Sequence, residues 1–279
     1  MISTPILANG FRLCGGQVAS QLAPVQSRNA AIMPMPESPG AAQIRLTFEN
    51  SLGETRSTDC GAVAVAPNWL LTARHCVEDQ EWAAFEATIG SQKIGSSRSG
   101  VRRTAHAAIC PTGTIPGSLE ADLALVHLDE PLAQDIEYAR LFENPDPAGL
   151  NMPVLARLAS WPVRQAHIGN PPLRVLPIGL ASATPRGHVI ASLEDSTQRP
   201  PCGGESGAPI YIDVEDGRTR LAGILSAIIT PSWAAEELSP KCRSPLTRLM
   251  ISPVAPWADW VRDTMFLCDA RPERCFSRE

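Results

Sequence analysis

Apolar residues fall in short runs along this chain. GAVAVAP, NWLLTA, ADLALVHL, MPVLARLAS, LRVLPIGLA, GHVIASL, APIYIDV and RLAGILSAII are each of strand length and bounded by turn formers. Many short strands without alternating helices predict an all-β protein, a sandwich or a pair of barrels. One late segment has another period. SPVAPWADWVRDTMF opens with a serine and prolines and spaces Trp257, Trp260, Val261 and Met265 near the helical repeat, which predicts a helix. No internal repeat stands out. The proline-rich stretch from Met33 to Gly40 reads as a surface insertion rather than a linker.

Composition narrows the class. The chain has 279 residues, 44% hydrophobic and 19% charged, enough for a sizeable core in one large domain or two halves. A formal charge of −5 and the lack of any basic run speak against a nucleic-acid partner. No apolar stretch approaches the roughly 18 residues of a membrane span. The eight cysteines include no C-x-x-C pair, so disulfides and an oxidising compartment are favoured over a zinc ribbon. The start, MISTPILANG, lacks a basic segment followed by a long apolar one. The expectation is a secreted or periplasmic protein whose leader has been removed or whose export route is not visible.

The candidate chemistry lies in three segments. In NWLLTARHCV, His75 follows an apolar strand and precedes Cys76; a Cys60–Cys76 disulfide would fix its backbone. Imidazole suits a general base because its pKa lies near neutrality. His106, His127, His167 and His188 have no comparable setting. In EADLALVHLDEPL, Asp122 opens an apolar strand, where a half-buried carboxylate can hold an imidazole tautomer. In CGGESGAPIY, glycines flank Ser206, and the N–H groups of Gly204 and Ser206 can converge on one oxygen. Cys202 anchors this segment, with Cys242 as its expected partner, and CDARPERC reads as a local Cys268–Cys275 disulfide. A Cys14–Cys110 pair follows only by elimination. Each segment alone also fits a surface histidine, a turn aspartate or a Gly/Ser turn.

Taken in order, TARHC, DLAL and CGGESGAP resemble the marks of the chymotrypsin/trypsin-like serine proteases, and GILSAI resembles the cleft strand that carries Ser226. The resemblance covers roughly residues 55 to 265. It implies two packed six-stranded antiparallel β-barrels with a C-terminal helix: an N-terminal barrel over about 25–145, a C-terminal barrel over about 146–252, and a helix over about 253–267. The protease domain is placed at 13–267, with 1–12 a propeptide remnant and 268–279 a tail. FRLCGGQVA resembles the family's activation site. It implies a cut between Arg12 and Leu13, after which the freed amine pairs with Glu205. Glu205 stands where the family usually has aspartate, and Cys14 where it usually has valine.

The same resemblance places the floor of the specificity pocket at Pro200 and its walls at Ile228 and near Ser244, with Ser226 and Ala227 as substrate-binding residues of the cleft strand. Without a buried acid, a cationic side chain would be desolvated and unpaired. The expectation is therefore a small or medium apolar residue on the acyl side. The leading reading is a serine endopeptidase with Ser206, His75 and Asp122 as triad, no cofactor or metal, and a protein or peptide substrate. An activating protease or an inhibitor are further partners. The other reading is a catalytically silent homologue that binds a partner. An α/β-hydrolase is disfavoured because GESGA lacks the final glycine of the nucleophile elbow and the histidine precedes the serine.

Overall fold

The computed structural model of the chain describes residues 10–18, 22–23, 26–28, 35–78, 80–90, 100–112, 121–133, 135–143, 154–162, 172–184, 187–215, 217–229 and 247–276. Each of the eight apolar runs overlaps a strand. The N-terminal half comprises β1 (Phe11–Gln17), β2 (Ala41–Glu49), β3 (Thr55–Ala66), β4 (Trp69–Thr72), β5 (Gln80–Trp82), β6 (Ala84–Ile89), β7 (Val101–Arg103), β8 (Ala105–Pro111) and β9 (Ala124–Leu128). They pair in the order β5-β1-β8-β9-β4-β3-β2-β6-β7. Thr104 alone separates β7 from β8, so the sheet curls until its edge strand β7 is joined through the chain to β8. The C-terminal half is a closed barrel in the order β10-β11-β12-β15-β14-β13. Its strands are β10 (Val154–Ser160), β11 (Arg174–Ala183), β12 (Val189–Leu193), β13 (Pro209–Asp213), β14 (Thr219–Ile229) and β15 (Arg248–Pro253).

The expected six-stranded C-terminal barrel is therefore present, and the N-terminal sheet is larger than expected. Two of the three surplus strands are β1 and β5, which extend it beyond β8: β1 runs antiparallel to β8, and β5 runs parallel to β1. A Cys14–Cys110 disulfide staples β1 to β8. This assigns the pair that the sequence left to elimination.

Two apolar clusters fill the halves. Ile44, Leu46, Trp69, Leu70, Leu71, Phe85 and Val126 belong to the first, and Leu158, Ile178, Ile210, Leu225, Leu249 and Ile251 to the second. Burying each such side chain contributes roughly 1.5–3 kcal/mol before entropy is counted. On β2, Arg45 faces Asp59 across the β3 pairing, with nitrogen and oxygen 2.7 Å apart.

The predicted helix forms as α2 (Ala258–Ala270), after a 3-10 turn at Ala255–Trp257. It buries Trp260, Val261 and Cys268 against the N-terminal cluster, and Asp269 accepts a 2.9 Å bond from Trp69 Nε1. A short helix, α3 (Glu273–Phe276), is closed onto α2 by the Cys268–Cys275 disulfide. Its Phe276 ring sits 4.7 Å from His127 and 5.1 Å from His106. Burial, and then the neighbouring His106, lower the His127 pKa below 6.5, against opposing pulls from Asp269 and Asp129. The fold therefore favours neutral His127. Its contribution is fully present above about pH 6.5 and is lost as pH falls through the lower folded value. Thermal melts from pH 8 to 5 should show this loss, and His127→Gln should reduce it.

Part of the proline-rich stretch is not on the surface. Ser38, Pro39 and Gly40 are buried. The Pro39 carbonyl accepts the Tyr211 hydroxyl of the other barrel at 2.6 Å. Gly40 has φ +71°, and a Cβ there would lie 2.5 Å from the Ala64 carbonyl oxygen. The stretch ends as a pin between the halves.

Candidate active site

β4 ends at Thr72 and the chain turns at once into α1 (Arg74–Val77), which carries His75. Cys76, the next residue, is disulfide-bonded to Cys60 on β3, so the turn cannot drift from the sheet. The bridge spans a sequence separation of 16, which corresponds to about 3 kcal/mol in the chain-entropy picture. Replacing both cysteines by alanine should lower chemical-denaturation stability by about that amount.

Asp122 sits just before β9 and is fully buried. The preceding Ala121 adopts φ 48°, and Leu123 N–H donates to the Ala121 carbonyl at 2.7 Å, a tight turn that aims the carboxylate. Its Oδ1 accepts the His75 backbone N–H at 2.9 Å, and its Oδ2 lies 2.8 Å from His75 Nδ1. Ser226 Oγ donates to Oδ2 at 2.6 Å. Burial alone would raise the Asp122 pKa, but the bonds and charge from His75 and the Ser226 hydroxyl outweigh it and leave it below 3.8. The ionised carboxylate is an acceptor only, so Nδ1 must carry the proton and Nε2 keeps a lone pair. The His75 side chain is 40% exposed, so that nitrogen can meet a substrate.

Ser226 reaches Asp122 because β14 bulges there: Leu225 pairs with Ile251 and Ala227 with Met250, and Ser226 is skipped. A bulge re-aims the side chain it carries. Leu225 is buried, while Ala227 and Ile228 are half-buried, with Ile228 packed on the second cluster. Pro200 is buried ahead of the Ser206 loop. Ser244 and Cys242 lie outside the described residues; Cys202 is disulfide-bonded.

The loop around Ser206 is held from the other barrel. The Ser206 carbonyl accepts Gly61 N–H at 2.6 Å, and Cys76 Sγ lies 3.8 Å from the same oxygen. That sulfur is also 3.9 Å from His75 Nε2, so one atom neighbours both segments. Ser206 Oγ makes no hydrogen bond to a described residue, as is common before a substrate tightens such a site. Gly204 and Gly207 have φ 89° and 83°, conformations that a side chain would strain. The N–H groups of Gly204 and Ser206 donate to no backbone carbonyl among the described residues. Gly61, directly after Cys60, does not stand out in the sequence; its only signal is that it opens the apolar run GAVAVAP within β3.

In the uncut chain Leu13 and Glu205 stand apart. Leu13 lies inside β1 opposite Ile109, and Arg12 bonds to Glu78, which also pairs with buried Arg74. Glu205 instead faces Arg174 on β11. A separate cavity of about 1280 Å³, lined by Tyr138, Arg140, Phe142, Arg220 and Met265 among others, contains none of His75, Asp122 and Ser206.

Comparison with known proteins accords with this geometry. The trypsin family profile matches residues 35–261. The chain is similar to the thrombin-like enzyme acutin of Deinagkistrodon acutus, 24% identical over 54% of this chain and 68% of that protein. It is 25% identical to the serine proteinase stubble of Drosophila melanogaster over 66% of this chain and 26% of that one. It is 26% identical to the thrombin-like enzyme flavoxobin of Protobothrops flavoviridis over 37% of this chain and 38% of that one. The matched region begins after β1, so FRLCGGQVA lies outside it. A profile covering most of the chain, on a closed β-barrel paired with a second curled sheet, shows that the chain belongs to the trypsin family of serine endopeptidases.

Proposed function

We propose that the chain hydrolyses peptide bonds through an acyl-enzyme at Ser206. The observation that carries this is the His75–Asp122 pair, with a backbone and a ring hydrogen bond to one buried carboxylate and Nε2 left basic. Ser206 attacks the carbonyl carbon of the substrate while His75 Nε2 takes its proton. The N–H groups of Gly204 and Ser206 stabilise the oxyanion. His75 then gives the proton to the leaving amine. Water, deprotonated by His75, releases the acyl group and restores the serine.

A buried Pro200 and a branched Ile228 favour a small or medium apolar side chain on the acyl side. Disulfides among the described residues fit an oxidising compartment, secreted or periplasmic. No helix among the described residues is long and apolar enough to cross a membrane. Protein or peptide substrates follow from the family; an activating protease or an inhibitor would be a further partner.

A peptide-library digest tests the specificity. Cleavage should fall mainly after Ala, Val or Leu. Cleavage mainly after Arg or Lys would overturn the pocket assignment. Absence of cleavage together with an unreactive Ser206 would favour a silent homologue that only binds its partner.

A further inference from the structure

The Glu205 carboxylate is almost wholly buried, and groups from three places in the chain bond to it. Ser160 Oγ, at the end of β10, donates to Oε2 at 2.5 Å. Arg174 Nη2, at the start of β11, lies 2.9 Å from Oε1 and 2.8 Å from Oε2. The Cys202 N–H donates to Oε1 at 2.9 Å and closes the turn that leads to the nucleophile. A carboxylate offers about four acceptor positions. All are met by these groups, with no place left for an inserted amine. The same guanidinium reaches further: Arg174 Nη1 donates to the Arg199 carbonyl at 2.7 Å, one residue before Pro200.

We propose that Arg174 is a positioning residue. It acts as the resident counter-ion of Glu205, holding the Gly204–Ser206 turn in the shape that accepts an oxyanion, so that the uncut chain is already competent. This rests on Ser206 being the nucleophile. The physical basis is that a buried carboxylate must be paired, and that whichever cation pairs it sets the turn. Glutamate, one methylene longer than aspartate, reaches the fork of an arginine on a neighbouring strand. The carboxylate and guanidinium then lock two strands and two points of the substrate-facing loop together: the nucleophile turn and the backbone before Pro200. Leu13, the residue whose amine would otherwise serve, is held in β1 next to the Cys14–Cys110 staple.

Two measurements test this. The first treats the chain with a fluorophosphonate probe, its intact mass confirmed, before and after limited trypsin nicking. Labelling at Ser206 should proceed at the same rate in both forms, within about twofold. Labelling only after a cut sinks the proposal alone. No labelling of either form sinks the hydrolase reading, and this proposal with it. The second compares Arg174→Met and Arg174→Lys, each checked for a cooperative melt. The methionine variant should lower kcat by about 100-fold with KM nearly unchanged, since an oxyanion donor acts in the transition state. Lysine should recover about tenfold of the loss, because it restores the charge without the fork. A folded Arg174→Met enzyme with unaltered kcat would overturn the role. So would a loss carried wholly by KM. If Arg174→Met does not fold, the intact-chain labelling decides.

Discussion

Asparagine at position 122 is expected to lower kcat by about 10⁴-fold while leaving the fold and KM nearly intact. The reason is the direction of one hydrogen bond. Asp122 accepts from both the backbone N–H and the ring Nδ1 of His75, and from the Ser226 hydroxyl. An amide carries its own donors and can present N–H₂ to the ring. The imidazole then prefers the tautomer with its proton on Nε2, where it can no longer take the proton of Ser206. No other described carboxylate bonds to His75, so nothing nearby compensates. The same substitution should change the acid limb of stability. The Asp122 pKa is held below 3.8 because hydrogen bonds to the charged form outweigh burial. The ionised form therefore stabilises the fold above about pH 3.8, and that contribution disappears as pH falls through the lower folded value. Urea unfolding between pH 6 and 2.5 should show a shallower acid loss in Asp122→Asn. Equal acid sensitivity, or a kcat within tenfold of the parent, would contradict the assignment.

Alanine at Gly207 is expected to be the most damaging small change in the Ser206 loop. Gly207 has φ +83°, and a Cβ would lie 2.2 Å from the Gly61 carbonyl oxygen and 2.4 Å from Thr72 Oγ1. A left-handed conformation costs a side-chain-bearing residue about 1–2 kcal/mol, and overpacking about 1–3 kcal/mol more. The clash falls on the seam between barrels, where Thr72 Oγ1 donates to Gly61 O and Gly61 N–H holds the Ser206 carbonyl. The loop must retreat from His75 to relieve it. Stability should fall by about 3 kcal/mol and probe labelling by at least 100-fold, as expected when a reacting group is displaced by about 1 Å. Gly203→Ala is the control: a Cβ there would meet nothing within 4 Å and its φ is not left-handed, so stability should shift by less than about 0.5 kcal/mol. Similar behaviour of the two variants would contradict the packing account.

The strands most legible in the sequence are those whose apolar residues are consecutive. β4, β9 and β13 are buried almost throughout, and uninterrupted apolar runs announce such strands. β2 is less visible because Gln43 and Arg45 interrupt it, although Ile44 and Leu46 keep the alternation of a strand. β1 is hidden because FRLCGGQVA matches an activation site by composition, while its pairing partner β8 lies far away in sequence. His75, Asp122 and Ser206 stand out through short local motifs. Ser226 is visible as a serine on a strand, but the bulge that turns it toward Asp122 is a property of register between two strands. Arg174 is invisible: within LRVLPIG it reads as any surface arginine, and its partner follows only after a further strand, β12. Local pattern reveals what a segment is; the pairing of distant charges appears only once strands are in register.

The most direct measurement of the central claim is the site and stoichiometry of covalent labelling. Intact mass spectrometry and peptide mapping after fluorophosphonate treatment should find one adduct per chain, on Ser206, and none in Ser206→Ala or His75→Ala. Absence of any adduct, or one that persists in those variants, would contradict the proposal that Ser206 is a nucleophile activated by His75.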